Sequence, residues 1–264
     1  MNYYSPEANR KYMSVSQIKK FIGCPAFRGC EAEAVAELYE EYTPPVSDAL
    51  TFGSYIDVQL TGTDDEKVAF VEAHPEMFKK NGELYAKYER ANDMIARVQT
   101  DANRGGVFLK YLDGEQQKVY TGEINGFEFK ARLDVLGSNW ICDLKTTESI
   151  VKKYYSNGWY NFIDYWGYAL QGAVYQELVF QNTGRRLPFY IAAISKETEP
   201  DLGVFHIPQD ALDRALSELT PEVLSRIDLL KKRELEPVRC ERCGFCKATK
   251  VIDRPINYLE IGEE

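Results

Sequence analysis

Asp134, Asp143 and Lys145 fall within one stretch, Ala131-Arg-Leu-Asp-Val-Leu-Gly-Ser-Asn-Trp-Ile-Cys-Asp-Leu-Lys145. Two apolar runs flank Gly137-Ser138-Asn139, and their period-two alternation around a Gly/Asn turn predicts a β-hairpin. Asp143 and Lys145 are two residues apart, so they share a sheet face. Such charges are expensive to bury unless something pairs them. A hard divalent cation satisfies carboxylate oxygens, and a lysine beside it can face a phosphate or an attacking water. In outline this is a metal-dependent phosphodiesterase site. An Asp-x-Lys on a strand is more often a solvated edge. Here both aspartates interrupt apolar strands, and Thr146 and Thr147 add hydroxyls at the strand end, with Thr146 a candidate substrate contact.

A second set of residues could hold a metal. Cys240, Cys243 and Cys246 follow Cys-x2-Cys-x2-Cys spacing, and clustered thiols without a secretory signal suggest metal rather than disulfides. Three thiolates need a fourth ligand for tetrahedral zinc or a cubane cluster. Cys24, followed by Pro25, is the first candidate, and Cys30 the second. A [4Fe–4S] cluster, zinc and free thiols all remain open. Cys142 lies in an apolar strand and reads as a buried hydrophobe.

The elements that must position these groups follow from periodicity and breakers. Ser14–Pro25 reads as a short helix, 26–42 as a second, and 47–61 as a third, carrying Asp57. Two polar helices, 64–73 and 85–99, form an insertion over about 64–105. Strands are expected at 119–124, 127–136, 140–144, 189–195 and 203–207. Helices are expected at 155–180 and 209–232, with an irregular cysteine-bearing tail over 233–264. In the helix from Ile163, Asp164, Tyr168, Gln171 and Tyr175 share one face, while Trp166, Leu170, Val174 and Leu178 form a core face. This order predicts an α/β fold, a mixed central sheet flanked by helices, in a single domain spanning 1–264.

The chain has 264 residues, 44% of them hydrophobic, and a formal charge of −9. No apolar run approaches the roughly 20 residues of a membrane span, and no signal-peptide pattern is visible, so a cytoplasmic location without membrane partners is expected. The acidic balance argues against high-affinity nonspecific DNA binding. It is unevenly spread, however: residues 31–48 carry six acids and no Lys or Arg, while 231–250 carry seven Lys/Arg against three Glu. The basic tail could therefore grip DNA locally.

Asp134 followed by Asp143-Leu-Lys145-Thr-Thr147 resembles the signature of the PD-(D/E)XK nucleases in its RecB-like and RecE-like form. Leu133 stands where the family name has proline. Phe52-Gly-Ser-Tyr-Ile-Asp57 resembles the family's Gly-x-x-x-His element, with Asp57 in place of histidine. Gln171-Gly-Ala-Val-Tyr175 resembles its Gln-x-x-x-Tyr helix. The likeness runs from about Ser14 to Thr249 and is strongest to the RecE, or exodeoxyribonuclease VIII-like, exonucleases of phages and prophages.

The resemblance implies a restriction-endonuclease-like core and hydrolysis of linear duplex DNA from a 5′ end. It makes Asp57, Asp134, Asp143 and the Leu144 carbonyl ligands of Mg²⁺ or Mn²⁺, Lys145 the catalytic cation, and Gln171 and Tyr175 substrate contacts. Glu123 is a weaker candidate for a second ion. The resemblance also implies a single-strand annealing protein as partner in phage-type recombination. It further implies a homo-oligomeric ring, trimer or tetramer, with Lys152, Lys153, Arg185 and Arg186 facing DNA. RecB-type members with an iron–sulfur staple use one early and three late cysteines, which points to Cys24 with Cys240, Cys243 and Cys246. A RecB- or CRISPR-type trimming nuclease and an inactive DNA-binding module on the same fold are the alternatives.

Overall fold

The computed structural model describes residues 2–258 apart from 46, 156, 157 and 256. The helices are α1 (Pro6–Lys11), α2 (Val15–Ile22), α3 (Glu31–Leu38), α4 (Asp48–Thr61), α5 (Asp64–Ala73), α6 (Arg90–Asn103), α7 (Phe108–Tyr111), α8 (Phe162–Trp166), α9 (Tyr168–Thr183), α10 (Gln209–Ser217), α11 (Pro221–Lys231) and α12 (Gly244–Ala248). The strands are β1 (Glu115–Ile124), β2 (Phe127–Leu136), β3 (Ile141–Thr147), β4 (Lys153–Tyr155), β5 (Gly158–Tyr160), β6 (Phe189–Ser195) and β7 (Leu202–Ile207).

Five strands form one mixed sheet in the order β1-β2-β3-β6-β7, with β3 and β6 parallel and the other pairs antiparallel. The α8–α9 crossover joins the parallel pair, as a parallel connection requires. Two apolar layers cover the sheet. On one face Leu170, Val174 and Leu178 of α9 pack with Phe129, Leu133, Ile191 and residues of α10 and α11. On the other, Phe52 and Ile56 of α4 and Met94 and Val98 of α6 pack with Val135, Cys142, Leu144 and Ile194. The expected α/β architecture is therefore the observed one. No helix among the described residues is long and apolar enough to cross a membrane.

Two departures bear on the site. Residues 155–160, expected helical, instead belong in part to the small β4–β5 hairpin, where Tyr154 pairs with Trp159. Tyr and Trp suit a pleated surface better than a helix. The following helix also breaks at Gly167, whose φ of 62° is left-handed. That break takes Asp164 off the face of Gln171 and Tyr175, and Asp164 instead meets Asn161 at the start of α8. It also leaves Trp166 40% exposed rather than in the core. The helix expected at 209–232 is likewise two helices, because Thr220 caps a new start with Pro221 in its first turn.

The β2–β3 ladder is short. Only Val135–Cys142 and Leu136–Ile141 are paired, after which the strands splay apart. Further back along β2 a different segment bonds to the strand. The Lys130 N–H donates to the Met13 carbonyl at 2.8 Å, and the Met13 N–H donates to the Glu128 carbonyl at 2.8 Å. The sheet therefore has a gap, bounded by Met13 on one side and by the last β2–β3 rung on the other.

Candidate active site

Asp134 lies in this gap and partly bridges it: its Oδ2 accepts from the Leu144 N–H at 3.1 Å. The N–H and C=O of a strand residue face the same edge, so the Leu144 carbonyl also faces the gap. Asp143 is 1% exposed. One carboxylate oxygen, Oδ1, accepts from Gln171 Nε2 at 2.5 Å, while Oδ2 forms an ion pair with Lys145 Nζ. Gln171 reaches this far because α9 lies very close to β6. A Cβ on the adjacent Gly172 would stand 2.4 Å from Phe189 Cδ1, so a side chain there would push the helix away.

Asp57 arrives from the other layer by a similar device. A Cβ on Gly53 would stand 3.2 Å from Thr146 Oγ1, so the missing side chain lets α4 approach the end of β3. Asp57 is one turn further on, on the same helix face, and accepts from the Thr61 hydroxyl at 3.1 Å. Thr146 itself is on the opposite face of β3 from Lys145 and packs against α4.

The electrostatics tie these groups into one site. Burial raises the Asp134 carboxyl well above its ordinary range, and the Asp143 and Asp57 charges raise it further against the pull of Lys145. Asp57 is raised by burial and by Asp143, against its Thr61 hydrogen bond. Burial would lower Lys145, but Asp143 and Asp134 outweigh it and hold its ammonium firmly charged. Lys145 also lies 5.1 Å from the centre of the Tyr168 ring, which Lys19 approaches at 5.2 Å. Lys19 is pushed down to about 8 by burial, with Cys24 opposing and Lys145 adding to the shift. Tyr175 is raised by burial and by both aspartates, so its phenol stays neutral beside them.

Hard oxygen donors carrying more negative charge than Lys145 offsets are the chemistry a divalent cation requires. The raised carboxyls reflect burial and mutual repulsion, which a cation among them would relieve. Asp57, Asp134, Asp143 and the Leu144 carbonyl therefore fit Mg²⁺ or Mn²⁺. They are not drawn tightly together. Among the described residues, only a cysteine quartet brings ligand atoms of three or more such side chains within 4.8 Å of one another.

That quartet corrects the expected cysteine set, because it is Cys30, Cys240, Cys243 and Cys246. Cys24 lies elsewhere: its Cβ approaches Gly167, and its field acts on Lys19 and Tyr168. A turn explains the exchange. The backbones of Cys24 and Phe27 bond to each other, so the chain reverses after Pro25, and the Cys30 N–H then donates to the Lys20 carbonyl. Cys30 thereby becomes the N-cap of α3. Glu123 is not at the site either. It is exposed, and its backbone bonds to Gln181 near the end of α9.

The basic residues expected to face DNA are scattered. Arg186 pairs with Glu177, and Arg185 donates to the Ser138 carbonyl in the turn before β3. Lys153 pairs with Glu148 beyond the other end of that strand. One residue of the basic tail is spent on the acidic segment, while Lys247 and Lys250 stay exposed. Arg233 pairs with Glu41, and Arg226, just upstream, pairs with Glu31, so these cations neutralise the acidic 31–48 segment.

Sequence reading missed Arg132 and Lys19. Arg132 lies 4.9 Å from the centre of the Tyr4 ring, and its field lowers Asp57. The signal was present in the i, i+2, i+4 run Lys130, Arg132, Asp134 along one strand. Nothing local marked Lys19, which reaches the site only because α2 packs beside α9.

The fold is that of the PD-(D/E)XK nuclease superfamily. The chain belongs to the family described as PDDEXK-like domain of unknown function (DUF3799), whose model matches residues 14–249. It is similar to a solved structure from Eubacterium rectale described as a "putative exonuclease". The two share 38% identity over 99% of this chain and 97% of that one, with a TM-score of 0.90. The solved structure of SSO0001 shares 15% identity over 83% of this chain and 95% of its own at a TM-score of 0.31. No curated protein matches the chain.

Proposed function

We propose that the protein is a metal-dependent deoxyribonuclease that degrades linear duplex DNA from its ends, with 5′ to 3′ polarity, in phage-type recombination. The observation that carries this reading is the charged array in the sheet gap. Asp134 is held by the Leu144 N–H, and Asp143 is held by both Lys145 and Gln171. The described exonuclease relative supports an end-directed activity.

Asp57, Asp134, Asp143 and the Leu144 carbonyl would hold magnesium or manganese, which when bound supplies positive charge to the phosphate under attack and eases deprotonation of water. Lys145 keeps its proton, so it acts as a donor: it orients the attacking water and stabilises charge developing on the phosphate oxygens. Gln171 fixes the Asp143 carboxylate so that Lys145 keeps its position. Tyr175, neutral and close to the carboxylates, can donate a hydrogen bond to a phosphate oxygen.

Digestion of linear duplex labelled at either the 5′ or the 3′ end, with Mg²⁺ or Mn²⁺ and with EDTA, tests the reading. Early release of 5′-labelled mononucleotide, abolished by EDTA, is expected. Cleavage of closed circular DNA would replace the exonuclease with a trimming or nicking enzyme. Binding without cleavage under every metal condition would leave a DNA-binding module.

A further inference from the structure

We infer that Cys30, Cys240, Cys243 and Cys246 form a mononuclear, four-thiolate zinc site that fastens the C-terminal segment to the start of α3. The sulfur spacing decides the nuclearity. Cys30 Sγ and Cys246 Sγ are 3.6 Å apart, Cys240 Sγ and Cys246 Sγ are 4.0 Å apart, and all four sulfurs lie within 4.8 Å of one another. A single tetrahedral ion with ~2.3 Å metal–sulfur bonds sets its sulfurs about 3.8 Å apart. In a cubane each thiolate binds a different iron at a different corner, which spreads the sulfurs well beyond this spacing.

The backbone is arranged for thiolates. The N–H groups of Arg242 and Cys243 donate to Cys240 Sγ at 3.4 and 3.3 Å, and the Cys246 N–H donates to Cys243 Sγ at 3.3 Å. Hydrogen bonds to the charged form favour ionised sulfur, and partners of this kind orient and tune the ligands of a metal. Glu241, between the first two cysteines, takes a left-handed φ of 57°, which folds Cys-x2-Cys tightly enough to aim both sulfurs at one point. Four thiolates around a divalent ion carry net charge −2. The Arg239 guanidinium sits beside them, donating to the Cys246 carbonyl at 2.7 Å. Four gathered thiolates would take all four positions around a tetrahedral ion, and Cys30 and Cys246 are buried. Such a closed, four-sulfur site is structural rather than catalytic. Zinc is favoured over ferrous iron in one tetrahedral sulfur site by the general order of divalent affinities.

The contacts beside the quartet run the same way. Glu31, next to Cys30, takes Arg226 in a bidentate pair at 2.6 and 2.8 Å and accepts from the Val238 N–H at 2.8 Å. The zinc would thus complete a clasp that the salt bridge and backbone have aligned, closing a loop from residue 30 to residue 240.

The full chain, purified without oxygen from cells supplied with both zinc and iron, is assayed for zinc, iron and acid-labile sulfide. One zinc per chain, with neither iron nor sulfide, is expected. Cys24→Ser should keep that zinc, and Cys30→Ser should lose it together with thermal stability. As a readout independent of how Cys30→Ser folds, cobalt is also exchanged into the unsubstituted protein. The absorption of four-coordinate, thiolate-bound cobalt is expected there. Iron with sulfide would overturn the mononuclear site, and iron without sulfide would overturn the choice of zinc. Metal-free protein whose thiols titrate freely, or zinc lost with Cys24→Ser and kept with Cys30→Ser, would overturn the inference altogether.

Discussion

The four thiols of Cys30, Cys240, Cys243 and Cys246 gather to within 4.8 Å, while the carboxylates of Asp57, Asp134 and Asp143 stay further apart, coupled through their fields. The difference lies in what carries them. Three of the thiols sit on one short turn and helix, free to wind around a common centre. The carboxylates sit on α4, β2 and β3, elements fixed by two separate apolar layers. Rigid elements hold like charges where they would not settle by themselves. On the readings proposed above, one arrangement would close around its ion, whereas the other would keep a place open for substrate.

This contrast is tested most severely by Asp143→Asn. An amide cannot match the charge of a cation, so activity should fall by at least about 10²–10³-fold, the scale of losing one preorganised electrostatic group. Circular dichroism and cysteine-bound metal should be unchanged. Retained magnesium-dependent cleavage would show that the carboxylates are not the active site. Next comes Lys145→Ala, which should lower turnover by roughly 10²-fold with metal affinity equal or higher, since a competing cation is gone. Titration of activity with Mg²⁺ separates the two, and a mutant rescued by more metal would contradict the role.

Gln171→Ala removes a single hydrogen bond to a charged partner, which is worth about 1.5–3 kcal/mol. A loss of roughly ten- to a hundred-fold in kcat is expected, with Gln171→Glu worse because it brings a fourth carboxylate to Asp143. Equal activity of all three proteins would mean that α9 merely packs there.

The smallest expected effect is on stability. Asp134 and Asp57 have raised values in the fold, so the folded protein holds protons that the unfolded chain has released. Their favourable contribution is complete below the ordinary carboxylate range and is lost as pH rises through the raised values. Metal-free wild type should therefore lose stability between mildly acidic and neutral pH, and Asp134→Asn should lose less, since only the Asp57 contribution remains. At neutral pH the variant should melt about 2–4 °C higher, the shift that roughly 1 kcal/mol gives a chain of this size. Mg²⁺ should stabilise only the wild type. Identical melting profiles would mean that the carboxylates do not repel one another.

Much of this was legible from sequence because strands announce themselves by alternation. The bounds of β2 and β6, and the placement of Asp134, Asp143 and Lys145, follow from period two and from charges interrupting apolar runs. Asp57 and Gln171 were legible only through motif likeness, since their reach depends on the close approaches at Gly53 and Gly172. The fourth cysteine was misread because Cys24-Pro25 looks like a ligand pair, while the turn that sends Cys30 inward depends on bonds to Phe27 and Lys20. The pairing of Arg233 with Glu41 was not legible for a similar reason: the partner is nearly two hundred residues upstream.

Asp134 and Asp143 are nine positions apart, yet they do not meet through local structure. Only two rungs join their strands, whereas β3 pairs with β6 along its whole length, from Ile141–Phe189 to Thr147–Ser195. That register exists only after a crossover of 48 positions has closed, and long closures are slow to form. The proposed catalytic centre would thus be a late product of folding. A chain halted after β3 would carry both aspartates and have no site, and a nascent chain would acquire its cutting power only once β6 had emerged and docked.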